Sequence, residues 1–385
     1  MAHSNTVLSQ LLKLIPRHEF EALSNKVDGK VRSTALNRWS QFIALTVGQL
    51  NGRQSLRDIE SCLASQSHLH YHLGTQQVSK SALSRANEKR SYAFYSDLFK
   101  LLYQRCSQNT SRHGFRFKNK LFSLDGSILD ASTKLFPWAD YNRQKSAFKL
   151  HLGLDHDGLI PCFARVTEGR RSENEIAHQF TPPKGSVIVF DKGYNNYRWH
   201  NTLTDKGIFW VTRIRGNAQY TIIDEREPTK NAAILYDKTI KYSSKQRDTQ
   251  ELKSIRLIGY RDKETGHIYE FITNHFNWSA QTVADIYRQR WQVELFFKWI
   301  KQNLKIKSFL GNSKNAVLTQ VLASLCVYLL VAYLKFTTKI KQSMQQVCRL
   351  LHTNLFAKRN ISSLFERQKT TINLSPQLQL SLRRR

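Results

Sequence analysis

Apolar residues return every three or four positions from about residue 6 to 103, with almost no strict alternation, and that period predicts a run of helices. Residues 107–120, SQNTSRHGFRFKNK, are polar and basic and read as a linker. Beyond them Lys120-Leu-Phe-Ser-Leu-Asp-Gly-Ser-Ile-Leu129 is apolar and β-rich, so a second domain is predicted to begin here. Two more strands are predicted at 147–154 and 159–167, joined by Asp155-His-Asp-Gly158, whose Asp and Gly suit a hairpin turn. A short helix at 173–180 leads to Val187-Ile-Val-Phe190, a strand that ends at Asp191, and a further helix leads to a fifth strand at 208–212. Between 214 and 273 the alternating segments TIKYSS, SIRLIGYR and HIYEFITN predict an inserted β-rich module. Ser279 then caps one long helix predicted to run to about residue 304. Residues 316–334, AVLTQVLASLCVYLLVAYL, approach the length of a membrane span. Thr319, Gln320 and Ser324 interrupt that stretch, and polar residues at this density are costly in a bilayer, so it reads as a buried core helix with no membrane partner.

Three strands, helix, strand, helix, strand is the order of a ribonuclease-H-like core. The chain is therefore expected to be mixed α/β, with an all-helical N-terminal domain at 1–106 and a ribonuclease-H-like domain at 115–340. A β-rich insertion would occupy about 214–275 of the latter, and a basic segment at 341–385, ending in Ser381-Leu-Arg-Arg-Arg385, would follow.

Charge narrows the partner. The 385 residues carry 59 Lys plus Arg against 29 Asp plus Glu, a formal +30, spread along the chain rather than gathered in one tail. A folded basic surface facing a polyanion follows, with nucleic acid the natural partner and a ribosome-associated protein the bland alternative. The five cysteines are scattered, form no CxxC or Cys/His cluster, and read as reduced core residues of a cytoplasmic protein. The amphipathic N-terminus lacks the apolar run and cleavage site of a signal peptide.

Within the helical region, Ser55-Leu-Arg-Asp-Ile-Glu60 and Val78-Ser-Lys-Ser-Ala-Leu-Ser-Arg-Ala-Asn-Glu-Lys-Arg90 each place a Ser before a helix with a basic residue in its first turns. The second segment is similar to a DNA recognition helix, from which Lys80, Arg85, Lys89 and Arg90 could reach phosphates or bases; a solvated helix face accounts for the same charges. In the long helix from Ser279, Tyr287, Arg290, Glu294 and Lys301 stand at offsets 0, 3, 7 and 14, within an arc of roughly 60° at about 100° per residue. Lys298 lies close to the same stripe, and Ile286, Val293, Phe296, Phe297, Trp299 and Ile300 fill most of the remaining circumference. A salt-bridged helix face would explain that stripe alone. Two further carboxylates change the balance: Asp125 sits inside an apolar strand and Asp191 ends another, positions where an unpaired carboxylate is expensive. Two strand-borne aspartates and a helix-borne glutamate are hard oxygen ligands of the kind magnesium or manganese takes, and they suit two-metal phosphoryl transfer. No GxSxG, HExxH or GxxxxGK offers a rival chemistry.

With these residues in view, the chain resembles the DDE transposases of the insertion-sequence-4 group over nearly its whole length. The resemblance is carried by Tyr287-x2-Arg290-x3-Glu294-x6-Lys301, by Leu124-Asp125-Gly126-Ser127, by Phe190-Asp191-Lys192-Gly193-Tyr194, and by Thr273-Asn274 before the last helix. The separation 294 − 191 = 103 exceeds what a plain ribonuclease-H core needs, and the group accounts for it by a β-rich insertion. The resemblance implies that Asp125, Asp191 and Glu294 bind two Mg2+ or Mn2+ ions, and that Tyr287, Arg290 and Lys301 grip DNA near the cut. It implies cut-and-paste transposition of a bacterial element: binding of terminal inverted repeats in double-stranded DNA, cleavage through a hairpin, joining to target DNA, and a homodimer to bring two ends together. An aromatic residue near the insertion would hold a flipped base, with Trp278 a candidate and Trp210 a second; burial in the core explains either tryptophan as well.

Overall fold

The computed structural model describes residues 5–29, 36–131, 140–142, 145–169, 171–227, 231–243, 253–304, 306 and 308–366. The N-terminal region is helical, as the apolar period predicts: α1 (Val7–Leu12), α2 (Arg17–Asp28), α3 (Arg38–Leu50), α4 (Leu56–Ala64), the single turn α5 (His70–Leu73), α6 (Lys80–Lys89) and α7 (Ala93–Ser107). Side-chain caps start several of them; the Ser55 hydroxyl accepts from Asp58 N–H while the Asp58 carboxylate accepts from Ser55 N–H, a reciprocal capping box on α4.

The strands are β1 (Leu121–Ala131), β2 (Asp140–Asn142), β3 (Lys145–Asp155), β4 (Ile160–Glu168), β5 (Val187–Phe190), β6 (Phe209–Arg213), β7 (Tyr220–Glu225), β8 (Ile234–Tyr242), β9 (Ile255–Arg261) and β10 (Ile268–Thr273). Helices α8 (Glu173–Ala177) and α9 (Tyr197–Asp205) lie between β4 and β6, and α10 (Ala280–Gln289), α11 (Trp291–Asn303), α12 (Lys314–Thr337) and α13 (Met344–Asn354) follow the last strand. β4, β3 and β1 pair antiparallel, while β1, β5 and β6 pair parallel, which gives the ribonuclease-H-like core anticipated from the element order. β3 and β4 are joined at the predicted turn, where Gly158 takes φ +79°.

The β-rich insertion predicted between 214 and 273 is present as β7–β10 and continues the core sheet: β10 pairs with β6, and β9, β8 and β7 follow, so one ten-stranded sheet runs from the core through the insertion. One expectation changes. The long helix from Ser279 is broken at Arg290. There the Arg290 N–H donates to the Tyr287 carbonyl at 3.0 Å and the Val293 N–H to the Arg290 carbonyl at 3.1 Å, tight i→i−3 bonds that interrupt the α-helical ladder. The C-terminal Ser381–Arg385 lies outside the described residues, as does most of the basic segment beyond 366.

Alternation along the strands sets the two sheet faces. Phe122, Leu124, Ile188, Phe190 and Trp210 pack with Trp199 and Leu203 of α9, whereas Leu121, Val187, Val189 and Val211 pack with Val283 and Ile286 of α10. A third cluster joins α1–α7, β3, α11, α12 and α13 around α12. The most apolar window of α12 has a mean hydropathy of 2.1 and is 94% buried, so this is the core helix the sequence suggested.

Candidate active site

β1 and β5 are neighbouring parallel strands whose paired register ends at Leu124 opposite Phe190. Asp125 and Asp191 are the next residue of each strand, so both carboxylates stand where the ladder stops, at the carboxyl end of the parallel pair. Asp125 has the parity of Leu121, the face covered by α10, and Glu294 comes to the same place in the first turn of α11. Arg290, at the helix break, joins them. Its Nη1 donates to Asp125 Oδ2 at 3.0 Å and its Nη2 to Glu294 Oε1 at 2.6 Å. Asp191 accepts from Gly193 N–H at 3.0 Å and pairs with Arg213 at 3.4 Å.

Burial pushes the Asp125 carboxyl up to about 6; Arg290 and the Gly126 N–H work against that, while the charges of Glu294 and Asp191 add to it. Asp125 thus senses both other carboxylates in a partly desolvated site, with burial the largest cause of its shift. Hard oxygen donors in that condition fit a divalent cation. As the side chains stand, no group of three or more His, Cys, Asp or Glu among the described residues is gathered tightly enough to hold one ion, and Arg290 and Arg213 pair with the three carboxylates.

The polar stripe is real but is spread over two helices. Lys301 donates to Ser127 Oγ and to the Ile128 carbonyl, both at 2.7 Å, and so ties α11 to β1 just past Asp125. Lys298 is exposed and, with Asp125, Ser127, Glu294 and Lys301, lines an open cavity of about 530 Å³. A second cavity of about 340 Å³ lies between α10 and the insertion strands, lined by Arg213, Tyr260, Tyr269, Tyr287, Arg290 and Trp291 among others. The Nε of Arg213 and of Arg290 find no partner among the described residues.

Two members of this second cavity escaped the sequence reading. Trp291 is 56% exposed at the rim of this cavity; its signal was adjacency to Arg290. Arg213 gave no signal beyond ending a strand. The two tryptophans singled out from sequence lie elsewhere: Trp210 is fully buried beneath His200, and Trp278 stacks on His275 with ring centroids 3.7 Å apart.

In the N-terminal region, Lys80, Arg85 and Lys89 are exposed on α6, whose inner face buries Leu83, Ala86 and Asn87. Arg90 departs from that set: it ends the helix half-buried, and burial, then the charge of Arg38, lowers its pKa. α5 and a 3₁₀ turn at Ser67–Leu69 separate α4 from α6, so these two helices do not form a helix-turn-helix with a turn of about three or four residues. Their starts nevertheless open on one cavity of about 620 Å³, lined by Arg57, Lys80 and the residues that lead into α12.

Comparison with known families bears on the chain as a whole. The family described as transposase DDE domain matches residues 116–330, and a domain of unknown function matches residues 3–76. The chain is similar to transposase y4zB of Sinorhizobium fredii, at 29% identity over 73% of this chain and 79% of that protein. It is similar also to the transposase of insertion sequence element IS5377 of Geobacillus stearothermophilus, at 28% identity over 69% of this chain and 70% of that protein. Transposase InsG of insertion sequence element IS4 of Escherichia coli matches at 27% identity over 43% of this chain and 38% of that protein.

Proposed function

The chain belongs to the transposase DDE domain family, whose match spans more than half of its length, and from that premise we propose that Asp125, Asp191 and Glu294 are the acidic residues at which it cuts and joins DNA. It is a DNA-cleaving transposase of the IS4 type. The observation that carries the site assignment is that Arg290 binds both Asp125 and Glu294 beside Asp191, where two strand ends and one helix start bring the carboxylates within electrostatic reach; burial first, with Glu294 and Asp191 adding to it, holds the Asp125 carboxyl up at about 6.

DDE domains depend on divalent metal. Two Mg2+ or Mn2+ ions between these carboxylates would activate the attacking water or 3′-hydroxyl and stabilise the leaving oxygen. The chain's own part is to place and neutralise. Arg290 holds the Asp125 and Glu294 carboxylates ready and can turn its guanidinium to a phosphate once they are otherwise neutralised. Lys298 and Lys301 line the cavity beside Asp125 and face a backbone passing over it, while Lys301 also steadies Ser127 and Ile128.

The aromatic and arginine-lined cavity beside Tyr287 suits a base turned out of the duplex when a hairpin forms at the element's end, and Trp291 is the aromatic residue best placed to stack on it. Lys80, Arg85 and Lys89, with Arg57 across the shared cavity, supply the basic surface of the N-terminal region for phosphates of the terminal inverted repeat. A homodimer would bring two ends and target DNA together in the cytoplasm of a bacterial cell.

The test is a strand-transfer assay with purified protein, Mg2+ and an oligonucleotide bearing an element end. Joining to a plasmid is expected, and Asp125→Asn, Asp191→Asn and Glu294→Gln should each abolish cleavage while end binding persists. Nicking without joining would point to a plain nuclease, and cleavage that survives any one of the three substitutions would sink the site assignment.

A further inference from the structure

Gly126 follows Asp125, and Gly193-Tyr194 follows Asp191 by two positions; neither Gly126 nor Tyr194 has a part in the chemistry above. Their roles emerge on the back of the sheet. Gly126 lies opposite His151 of β3, on the face packed by α9 rather than the face that carries Asp125 toward α11. His151 is fully buried, and burial holds its imidazole down at about 4, so the ring is neutral near pH 7, with one nitrogen donating and the other accepting. Nδ1 is 3.0 Å from the Tyr194 hydroxyl and Nε2 is 3.1 Å from Thr167 Oγ1 on β4. Tyr194 is itself fully buried. A Cβ at position 126 would stand 2.9 Å from the Tyr194 hydroxyl and 3.2 Å from His151 Nδ1, so the tyrosine reaches the histidine only because residue 126 has no side chain. On the other side, Lys149 pairs with Glu173 Oε1 at 2.5 Å, and the second Glu173 oxygen occupies the space that a side chain at Gly193 would take.

The backbone ladder between β1 and β5 stops at Leu124 and Phe190, one residue before the two aspartates. Past that point strand pairing no longer sets the distance between them. We infer that Tyr194, His151 and Thr167 form a pin that docks the Asp191 turn onto the Asp125 strand, with Gly126 as its socket, and that Tyr194 is thereby a positioning residue for divalent-ion binding. The pin rests on the reading of Asp125 and Asp191 as ligands. It touches no ion and no DNA; it fixes how far apart two carboxylates stand, a spacing that a two-ion site tolerates poorly when altered.

The experiment is calorimetric titration of the full chain with Mn2+, in the absence of DNA, for wild type, Asp125→Asn, Tyr194→Phe and Thr167→Val. Melting curves are recorded for each variant so that only folded protein is compared. Tyr194→Phe removes one hydroxyl and keeps the ring, and it should weaken Mn2+ binding roughly tenfold, within the range seen when groups that orient ligands are removed. Thr167→Val, one link further away, should weaken it less. A purely structural tyrosine would lower the melting temperature and leave the affinity of the folded protein unchanged. Loss of binding in Asp125→Asn with wild-type binding in Tyr194→Phe would overturn the pin alone. Wild-type binding in Asp125→Asn would overturn the ligand reading and the pin with it.

Discussion

Exchanging His200 for phenylalanine tests the electrostatics of the core, because this imidazole is buried with nothing to hold its polar atoms. His200, in α9, is 3% exposed and stacks on Trp210 with centroids 4.2 Å apart, and neither ring nitrogen has a partner among the described residues. Burial, and after it the charge of Arg215, lowers its pKa to about 3 from an unfolded value of about 6.5. Between those values the unfolded chain binds a proton that the folded chain refuses, so stability is lost as pH falls through this window. At pH 5 the group stands about 1.5 pH units below its unfolded pKa, a cost of about 2 kcal/mol. His151 and His275, each at about 4, and His156, at about 3, act with the same sign. Asp125 opposes them: its folded carboxyl, held up to about 6, keeps a proton that the unfolded chain releases, which offsets part of the loss at pH 5. The histidines outnumber it, so the net effect between pH 7.5 and pH 5 is a loss of stability. His200→Phe keeps the stacked ring and removes two unsatisfied nitrogens. It should stabilise the protein by about 1–3 kcal/mol at pH 7.5, and by about 2 kcal/mol more at pH 5. Urea denaturation of both proteins at both pH values, without divalent metal, measures all four quantities. Equal pH sensitivity in variant and wild type would refute the claim that His200 is neutral and unpartnered in the fold.

Two other outcomes bear on DNA. If six or more phosphates are neutralised by the basic surface, affinity for an element end should fall about 10³-fold between 50 and 200 mM salt; a flat response would show that the +30 charge has no footprint on DNA. Trp291→Ala should leave first-strand nicking in place and reduce hairpin product about 10- to 100-fold, the worth of one stacked base, which a denaturing gel of end-labelled substrate would read. Unchanged hairpin yield would remove Trp291 from the proposed base pocket.

Local pattern carried much of this architecture. The alternation and bounding turns of β3 and β4, the unbroken apolar run of β5, and the period of α10 and α11 are properties of short segments, and each was readable there. The proposed aspartates drew notice for the same reason, since a carboxylate in or at the end of an apolar strand stands out against its neighbours. What escaped is non-local. Arg290 keeps helical dihedrals at the break between α10 and α11, with φ −52° and ψ −33°, so no helix breaker marks it; the tightening comes from hydrogen bonds among residues that all suit a helix. The joining of the insertion to the core sheet depends on β10 meeting β6, residues far apart in sequence. Tyr194 stands in the block that carries the resemblance, but neither it nor Arg213 hints in sequence at its partners, which lie on other strands or strand ends.

The division read from sequence, with a helical region at 1–106 and a core at 115–340, invites cutting the chain at the linker, and the packing argues that the second segment will fail on its own. α12 belongs to that segment, yet α3, α6 and α7 of the first pack against it. Cys106 donates to the Leu329 carbonyl at 3.1 Å, and the Asn315 amide donates to the carbonyls of Asn87 and Arg90. The chain start is bound further on still, where the Val7 and Leu8 N–H groups donate to the Ala357 and Leu355 carbonyls. Removing residues 1–106 would therefore bare one side of a 24-residue helix whose most apolar window has a mean hydropathy of 2.1, an apolar patch far larger than a soluble surface tolerates. The expected outcome is that residues 107–385 expressed alone aggregate, whereas adding residues 1–106 as a separate polypeptide in the same cell restores soluble protein that co-purifies as a complex. A truncated chain that is soluble, monomeric and cooperative in melting would show that the catalytic region stands by itself, and that α12 is shared between the segments without being needed by both.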